Sequence, residues 1–151
     1  MGMSLEIFTD KVAESGQTLI RRAYEEARSR NARELRPHHA LIAFSETKAA
    51  LFEALLNKLS LDHVAVLESV SEEPKQRGAP QNEGMKISRE FADLLHDGLK
   101  HARENDRRLI GSIDILFALF VNKRGSIVKH FRQLGADRET VLGHISDLIR
   151  Q

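Results

Sequence analysis

Ala102-Arg103-Glu104-Asn105-Asp106-Arg107-Arg108-Leu109-Ile110-Gly111-Ser112-Ile113-Asp114-Ile115-Leu116-Phe117-Ala118 decides the fold, because the chain writes a version of this stretch twice. Shifted by 75 positions, Leu19–Val70 lies on Leu94–Ile145 without a gap. Ala27-Arg28 then falls on Ala102-Arg103, Arg33 on Arg108 and Ala43 on Ala118. Further on, Lys48 meets Lys123, Leu59 meets Leu134, Asp62 meets Asp137, and Val66-Leu67 meets Val141-Leu142. Leu56 against Phe131 and Val70 against Ile145 match in kind, while Leu51-Phe52 against Ser126-Ile127 matches in part. A period this long is no solenoid unit; it predicts two copies of a small helical unit fused into one domain.

At 151 residues the chain is long enough to bury a core. Its 41% apolar and 30% charged residues suit a water-soluble globular domain. With no Trp and one Tyr, the core is expected to be aliphatic. A net charge of +1 supplies no global field toward nucleic acid or an anionic membrane. The absence of Cys excludes disulfides, thiolate metal sites and Cys nucleophiles, and fits a reducing compartment. The first residues, Met1-Gly2-Met3-Ser4-Leu5-Glu6, have neither a basic region nor a long apolar run, so no signal peptide is expected. No stretch reaches the ~18–20 apolar residues of a membrane span. The expected location is the cytoplasm.

Thr9 reads as a helix N-cap with Asp10 in the first turn. Val12, Leu19, Ile20, Ala23, Tyr24 and Ala27 follow at helical spacing, with Gly16 as a weak point. The polar run Arg28–Glu34 ends this helix. Pro37 opens a short apolar one, and others are expected over Ala49–Leu59 and, capped by Asp62, His63–Val70. Ser71–Gly84, with Pro74, Gly78, Pro80 and Gly84 among charges, reads as a mobile linker. Ser88 caps the second copy, whose helices are expected over Arg89–Asn105, Ser112–Val121, Ser126–Leu134 and Arg138–Ile149. Ile110–Val121 has strand-like neighbours, but its mate begins with a helix-start proline. The prediction is all-α: eight helices in two pseudo-symmetric sets of four, with no sheet. Repeat one spans 8–70, a linker 71–87 and repeat two 88–149, within a single domain over 1–151.

The phrase His101–Leu119 resembles the double-repeat N-terminal domain of Clp-family AAA+ unfoldases. Those repeats run as a helix ending in Ala-Arg, a polar turn, and an Ile-Gly-Thr-Glu-His-Leu-Leu-Leu-Gly-Leu-like phrase. Leu35-Arg36-Pro37-His38-His39-Ala40-Leu41-Ile42-Ala43-Phe44 is similar to the disaggregase form, with Pro and His at those places. Gly135-Ala136-Asp137 is similar to the family's Leu-Gly-Val-Asp before the final helix. The likeness covers about 8–151. It implies a binding domain that receives substrates or adaptors for an ATP-driven ring, not an engine. Its implied partners are a Clp-type unfoldase ring, an adaptor protein or unfolded substrate peptides. No G-x-x-x-x-G-K-[ST] phosphate loop is present, so no ATP hydrolysis by that route and no cofactor are expected. The chain is either a part of a larger unfoldase or a free-standing copy acting as adaptor, decoy or scaffold. Some branches use a Glu in each copy to capture phosphorylated arginine. Here those positions are His38 and Ile113, so phospho-arginine reading is not expected. The family's His is kept as His39 and is Asp114 in the second copy. The first helix looks about four residues longer than the family's usual start.

Other sites are weaker. Adjacent His38 and His39 would point about 100° apart on a helix, and His96 and His101 are five apart, so no metal site is expected. His39 is read as a partly buried ring bonded to a backbone carbonyl. Ser112, Asp114 and His130 form a chance trio without a nucleophile elbow, so no catalytic residue is assigned. The basic runs Arg21-Arg22, Lys100/Arg103/Arg107/Arg108 and Lys123-Arg124/Lys129/Arg132 carry interleaved acids and no stacking aromatics. They read as solvated helix faces, and nucleic acid is not expected; a nucleic-acid-binding protein using the Lys100–Arg108 face remains the rival from another class. The binding candidate is a seam between the copies, into which a partner's short amphipathic segment would lay apolar side chains. Leu35, Arg36, Pro37 and His38 would line it with Ile110, Ser112 and Ile113, bordered by Phe8 and Thr9. Phe44, Leu56, Leu59, Leu116, Leu119, Phe131 and Leu134 are assigned to the core.

Overall fold

A computed structural model describes residues 10–71 and 86–149. Phe8, Thr9 and most of the expected linker lie outside them. The first copy's helices are α1 (Glu14–Ser29), α2 (Pro37–Thr47), α3 (Ala49–Leu59) and α4 (His63–Ser71). The second copy supplies α5 (Arg89–Glu104), α6 (Ser112–Ala118), α7 (Ser126–Gln133) and α8 (Arg138–Ile149). α1 and α5 begin and end 75 positions apart, as the duplication requires. Each buries one face, through Leu19, Ile20, Ala23 and Ala27 in α1 and Phe91, Leu94, Leu95 and Ala102 in α5.

The helix boundaries follow local chemistry. Ser88 Oγ accepts the Phe91 N–H at 3.0 Å and caps α5. Pro37 occupies the first turn of α2, where its missing N–H leaves nothing unpaired. Asp62 and Asp137 accept the N–H groups of Ala65 and Thr140, at 3.0 and 3.3 Å. After α3 and α7 the chain turns through left-handed Ser60 and Gly135, with φ of 56° and 98°. Asn31 and Asp106, also mates, are left-handed after α1 and α5, with φ of 55° and 61°. α6 stops short of Val121, because the Phe120 and Val121 N–H groups bond three residues back, to Phe117 and Ala118.

Two expectations need correction. α1 starts at Glu14, not after Thr9: Asp10 and Lys11 form a turn and Val12 is extended. The described extra residues ahead of Glu14 therefore form a 3₁₀ turn and a bridge rather than a longer α1. Nor is the chain wholly without strands. β1 (Glu34–Leu35) and β2 (Lys86–Ile87) pair in parallel, with Leu35 opposite Ile87, so two residues assigned to the linker belong to a ladder. Val12 pairs in parallel with Ile110 in the same way. Shifted by 75, these are one interaction made twice: the segment entering each copy's first helix pairs with the other copy's turn into its second helix. Ala13 N–H donates to the Ile110 carbonyl at 2.9 Å, and Ser88 N–H donates to the Leu35 carbonyl at 2.9 Å. Two-residue strands are too short for an alternating pattern, and their partners are remote in sequence, so periodicity carries no trace of them.

Gly16 belongs to this exchange. A Cβ there would overlap the Ile110 carbonyl oxygen and lie 2.7 Å from Val12 Cγ1. The glycine weakens α1 locally but lets the second copy's backbone approach.

α1 packs along α2, and α5 along α6. α2 and α6 meet at the centre, α3 lies on α8 and α4 on α7, so each copy completes the other's core. Phe44, Phe52, Phe91, Phe120 and Phe131 are all fully buried. The core is thus aliphatic around a phenylalanine centre rather than aliphatic alone, with Phe120 and Phe131 edge to face at 4.8 Å. Burying one such side chain contributes about 2–3 kcal/mol. Of the residues assigned to the core, Phe44, Leu56, Leu116, Leu119 and Phe131 are buried, while Leu59 and Leu134 are partly covered.

Candidate functional site

The two turns that carry the exchanged pairing lead into α2 and α6, and each is locked by the side chain three residues past its cap. In the first copy His39 Nδ1 accepts the Arg36 N–H at 2.9 Å. In the second, Asp114 Oδ2 accepts the Gly111 N–H at 2.8 Å. A ring nitrogen and a carboxylate thus do the same backbone task at mate positions. The expected His39 contact with a carbonyl is corrected: Nδ1 is an acceptor, which fixes the neutral ring with its proton on Nε2. His39 is fully buried. Burial, then the charges of His38, Arg30 and Arg36, lower its pKa to about 3.

Asp114 is also fully buried and gathers more partners. His101 Nδ1 donates to its Oδ1 at 2.8 Å, and the Arg107 guanidinium grips both oxygens at 2.8 and 3.2 Å. Phe117 stacks on the His101 ring with centroids 3.9 Å apart. Every oxygen direction of Asp114 is therefore committed to structure. His130 is held instead by Ser69, at 3.0 Å, so the trio Ser112, Asp114 and His130 is not one site. Among the described residues no group of three or more His, Asp or Glu side chains is placed to hold a metal ion.

The residues expected at the seam divide by exposure. Leu35, Pro37, His38, Ile110 and Ser112 are buried within the chain. Leu35 and Ile110 serve in the exchanged pairs, and the Ser112 N–H bonds Ser15 Oγ at 3.1 Å. Arg36 and Ile113 keep accessible surface, Arg36 paired with Glu34 at 3.1 Å. Phe8 and Thr9 lie outside the described residues. Sequence reasoning missed the Asp114 cluster, because His101 and Arg107 come to it only once α5 and α6 are packed. It also missed Leu109, which is 42% exposed beside Ile110.

Leu109 lines a cleft of about 770 Å³ with Lys11, Arg103, Asp106, Arg107 and Arg108, where the segment before α1 meets the end of α5. Its guanidinium groups outnumber its carboxylates. On the other end of α5, Glu90 accepts the Ser126 N–H and hydroxyl at 2.9 and 3.0 Å. Nearby, burial and the Asp93 charge raise the Asp97 pKa. Among the described residues no helix is long and apolar enough to cross a membrane.

Paired four-helix repeats with crossed entry strands define a module built around two equivalent helix-start turns. The sequence matches the model of the Clp repeat (R) N-terminal domain over residues 8–134, and the chain belongs to that family. Among solved structures it is similar to the Hsp104 N-terminal domain from Candida albicans, with 21% identity, 91% of each chain covered and a TM-score of 0.77. It is similar to the N-terminal domain of the caseinolytic protease associated chaperone ClpD from Arabidopsis thaliana, with 16% identity, 96% of this chain and 97% of that one covered, and a TM-score of 0.69. The N-terminal domain of the ClpV1 ATPase from E. coli EAEC is similar too, with 20% identity, 92% and 85% covered, and a TM-score of 0.64. Curated protein sequences gave no significant match.

Proposed function

We propose that this chain is a non-catalytic protein-binding module that recruits substrates or adaptors to a Clp-type ATP-dependent unfoldase in the cytoplasm. The observation that carries this is family membership over residues 8–134, which covers the first repeat, the second as far as α7 and the exchanged pairing between them. The accessible edge of α6 supports it. Ile113 and Phe117 lie one turn apart on one face, both partly exposed, and Leu109 precedes them. A short apolar segment of a partner would lie along that edge.

The test is capture from the native organism's lysate on immobilised chain, read by mass spectrometry beside an Ile113→Glu variant. Recovery of a Clp ring subunit, its adaptor or unfolded clients, reduced by the variant, is the expected result. Recovery of none of these, with nucleic acid or an unrelated complex in their place, would overturn the reading.

A further inference from the structure

Two copies of one unit lose resemblance fastest where side chains face water. Glu14 faces Arg89 across the 75-residue shift, Arg21 faces His96 and Glu25 faces Lys100. Against that drift, the charged identities are Lys11 with Lys86, Arg28 with Arg103, Arg33 with Arg108, Lys48 with Lys123, and Asp62 with Asp137. The Asp pair caps α4 and α8. Three of the remaining pairs, Lys11/Lys86, Arg28/Arg103 and Arg33/Arg108, place Lys11, Arg103 and Arg108 in the Leu109 cleft and Lys86, Arg28 and Arg33 at the mate positions.

Contacts within the fold do not account for the Lys11, Arg103 and Arg108 side chains. Arg103 and Arg108 are exposed, and neither they nor Lys11 makes a side-chain hydrogen bond or ion pair among the described residues. Arg103 sits in the last turn of α5, where a cation suits the helix dipole. Arg108 and Lys11 lie outside the helix, so the dipole does not explain them. Arg107 is the fixed wall: its guanidinium is anchored on buried Asp114 while about a third of its side chain, 36%, stays in solvent.

From this geometry we infer that the cleft between the segment before α1 and the end of α5 is a docking site for an acidic peptide segment with an apolar residue beside its carboxylates. Arg103, Arg108 and Lys11 would take the carboxylates, and Leu109 the apolar side chain. Asp10 and Asp106 on the rim break the basic surface into separate points, which fits spaced carboxylates better than a continuous phosphate backbone. Among the described residues no aromatic side chain lines the cleft for base stacking. At the mate position Lys86, Arg28 and Arg33 recur, but Glu34 replaces Leu109, so the second surface is the weaker one. The inference rests on the protein-binding reading and names the chemistry of the partner beside α6.

A short fluorescein-labelled peptide alternating Glu with Leu and Ser tests it by anisotropy on the full chain. A Lys-for-Glu peptide and a labelled single-stranded oligonucleotide serve as competitors. The acidic peptide is expected to bind the native chain, more weakly as salt rises, and about tenfold more weakly when Arg103→Glu and Arg108→Glu are combined. That double variant is expected to gain affinity for the Lys peptide, which a merely unfolded protein would not do. Arg28→Glu with Arg33→Glu is expected to lose less. No binding of the acidic peptide, equal affinity in the double variant, or tighter binding of the oligonucleotide overturns the cleft assignment. If the double variant still captures a Clp ring subunit or clients as the native chain does, the cleft assignment fails and the recruiting function stands. If the native chain captures none of them, the recruiting function itself fails.

Discussion

His39 makes the fold sensitive to acid in a way that one substitution isolates. Its ring is fully buried and its Nδ1 must stay unprotonated to accept the Arg36 N–H. Its pKa is lowered from 6.5 to about 3, so between those values the unfolded chain binds a proton that the native chain refuses. The stabilisation is therefore complete above the unfolded value and is lost as pH falls toward the folded one. The slope approaches ~1.4 kcal/mol per pH unit, so the loss from pH 8 to pH 5 is about 2 kcal/mol. Other groups titrate in the same window, so the native chain alone is not the test. His39→Gln puts a non-titrating acceptor three residues past the cap, the side chain that capping boxes favour there. Urea unfolding of both proteins at pH 8 and pH 5 is the assay. The variant should lose about 2 kcal/mol less than the native chain over that interval. Equal losses would refute the reasoning, because they would mean that His39 either protonates freely in the native state or leaves its bond without consequence.

Gly16→Ala improves helix propensity by about 1 kcal/mol, yet overpacking against the Ile110 backbone should exceed that, leaving the protein about 1–2 kcal/mol less stable by thermal melting; a raised Tm would show that the copies are not held at that distance. Asp114→Ala strands His101 and Arg107 and should cost about 3 kcal/mol, the low end for a broken buried pair because Arg107 keeps contact with water; calorimetry at neutral pH checks it. The Asp97 carboxyl, raised by burial and Asp93, opposes folding above its unfolded pKa and ceases to as pH falls below it. Asp97→Asn should therefore stabilise at pH 7 by roughly a few tenths of a kcal/mol and gain nothing in acid, as read by denaturant midpoints. Since each copy supplies the strand that the other lacks, the halves 1–78 and 79–151 should each lack stable helix alone and gain it when mixed, by circular dichroism; a half that folds by itself would contradict the exchange.

The helices were legible because their signals are local. Pro37, Ser88, Asp62 and Asp137 mark starts with their own backbone chemistry, and the duplication let one copy correct the other at Ile110–Val121. What escaped depends on contacts between the copies. Val12 looks like the first apolar residue of a helix until Ile110 draws it into an extended pair. Among the seam residues, Leu35 and Ile110 lie where the copies meet, and there the entry strands pair with them. The surface proposed for a partner keeps Ile113 from that seam and adds Leu109 and the basic cleft, which periodicity does not distinguish from an ordinary helix edge.

Divergence within the duplication has made the two turns chemically unequal. Both hold a cap N–H through the third residue of the helix, but they differ in the group that accepts it. Protonating His39 turns its acceptor into a donor aimed at the Arg36 N–H, so the first turn loses its lock outright. Asp114 has two oxygens, and Arg107 and His101 donate to the same carboxylate. The second turn's lock is thus one of several bonds to a single carboxylate. The two turns also hold each other's entry strands: Leu35 anchors β2, and Ile110 anchors Val12. Release at His39 is therefore expected to loosen β2, the segment leading into α5.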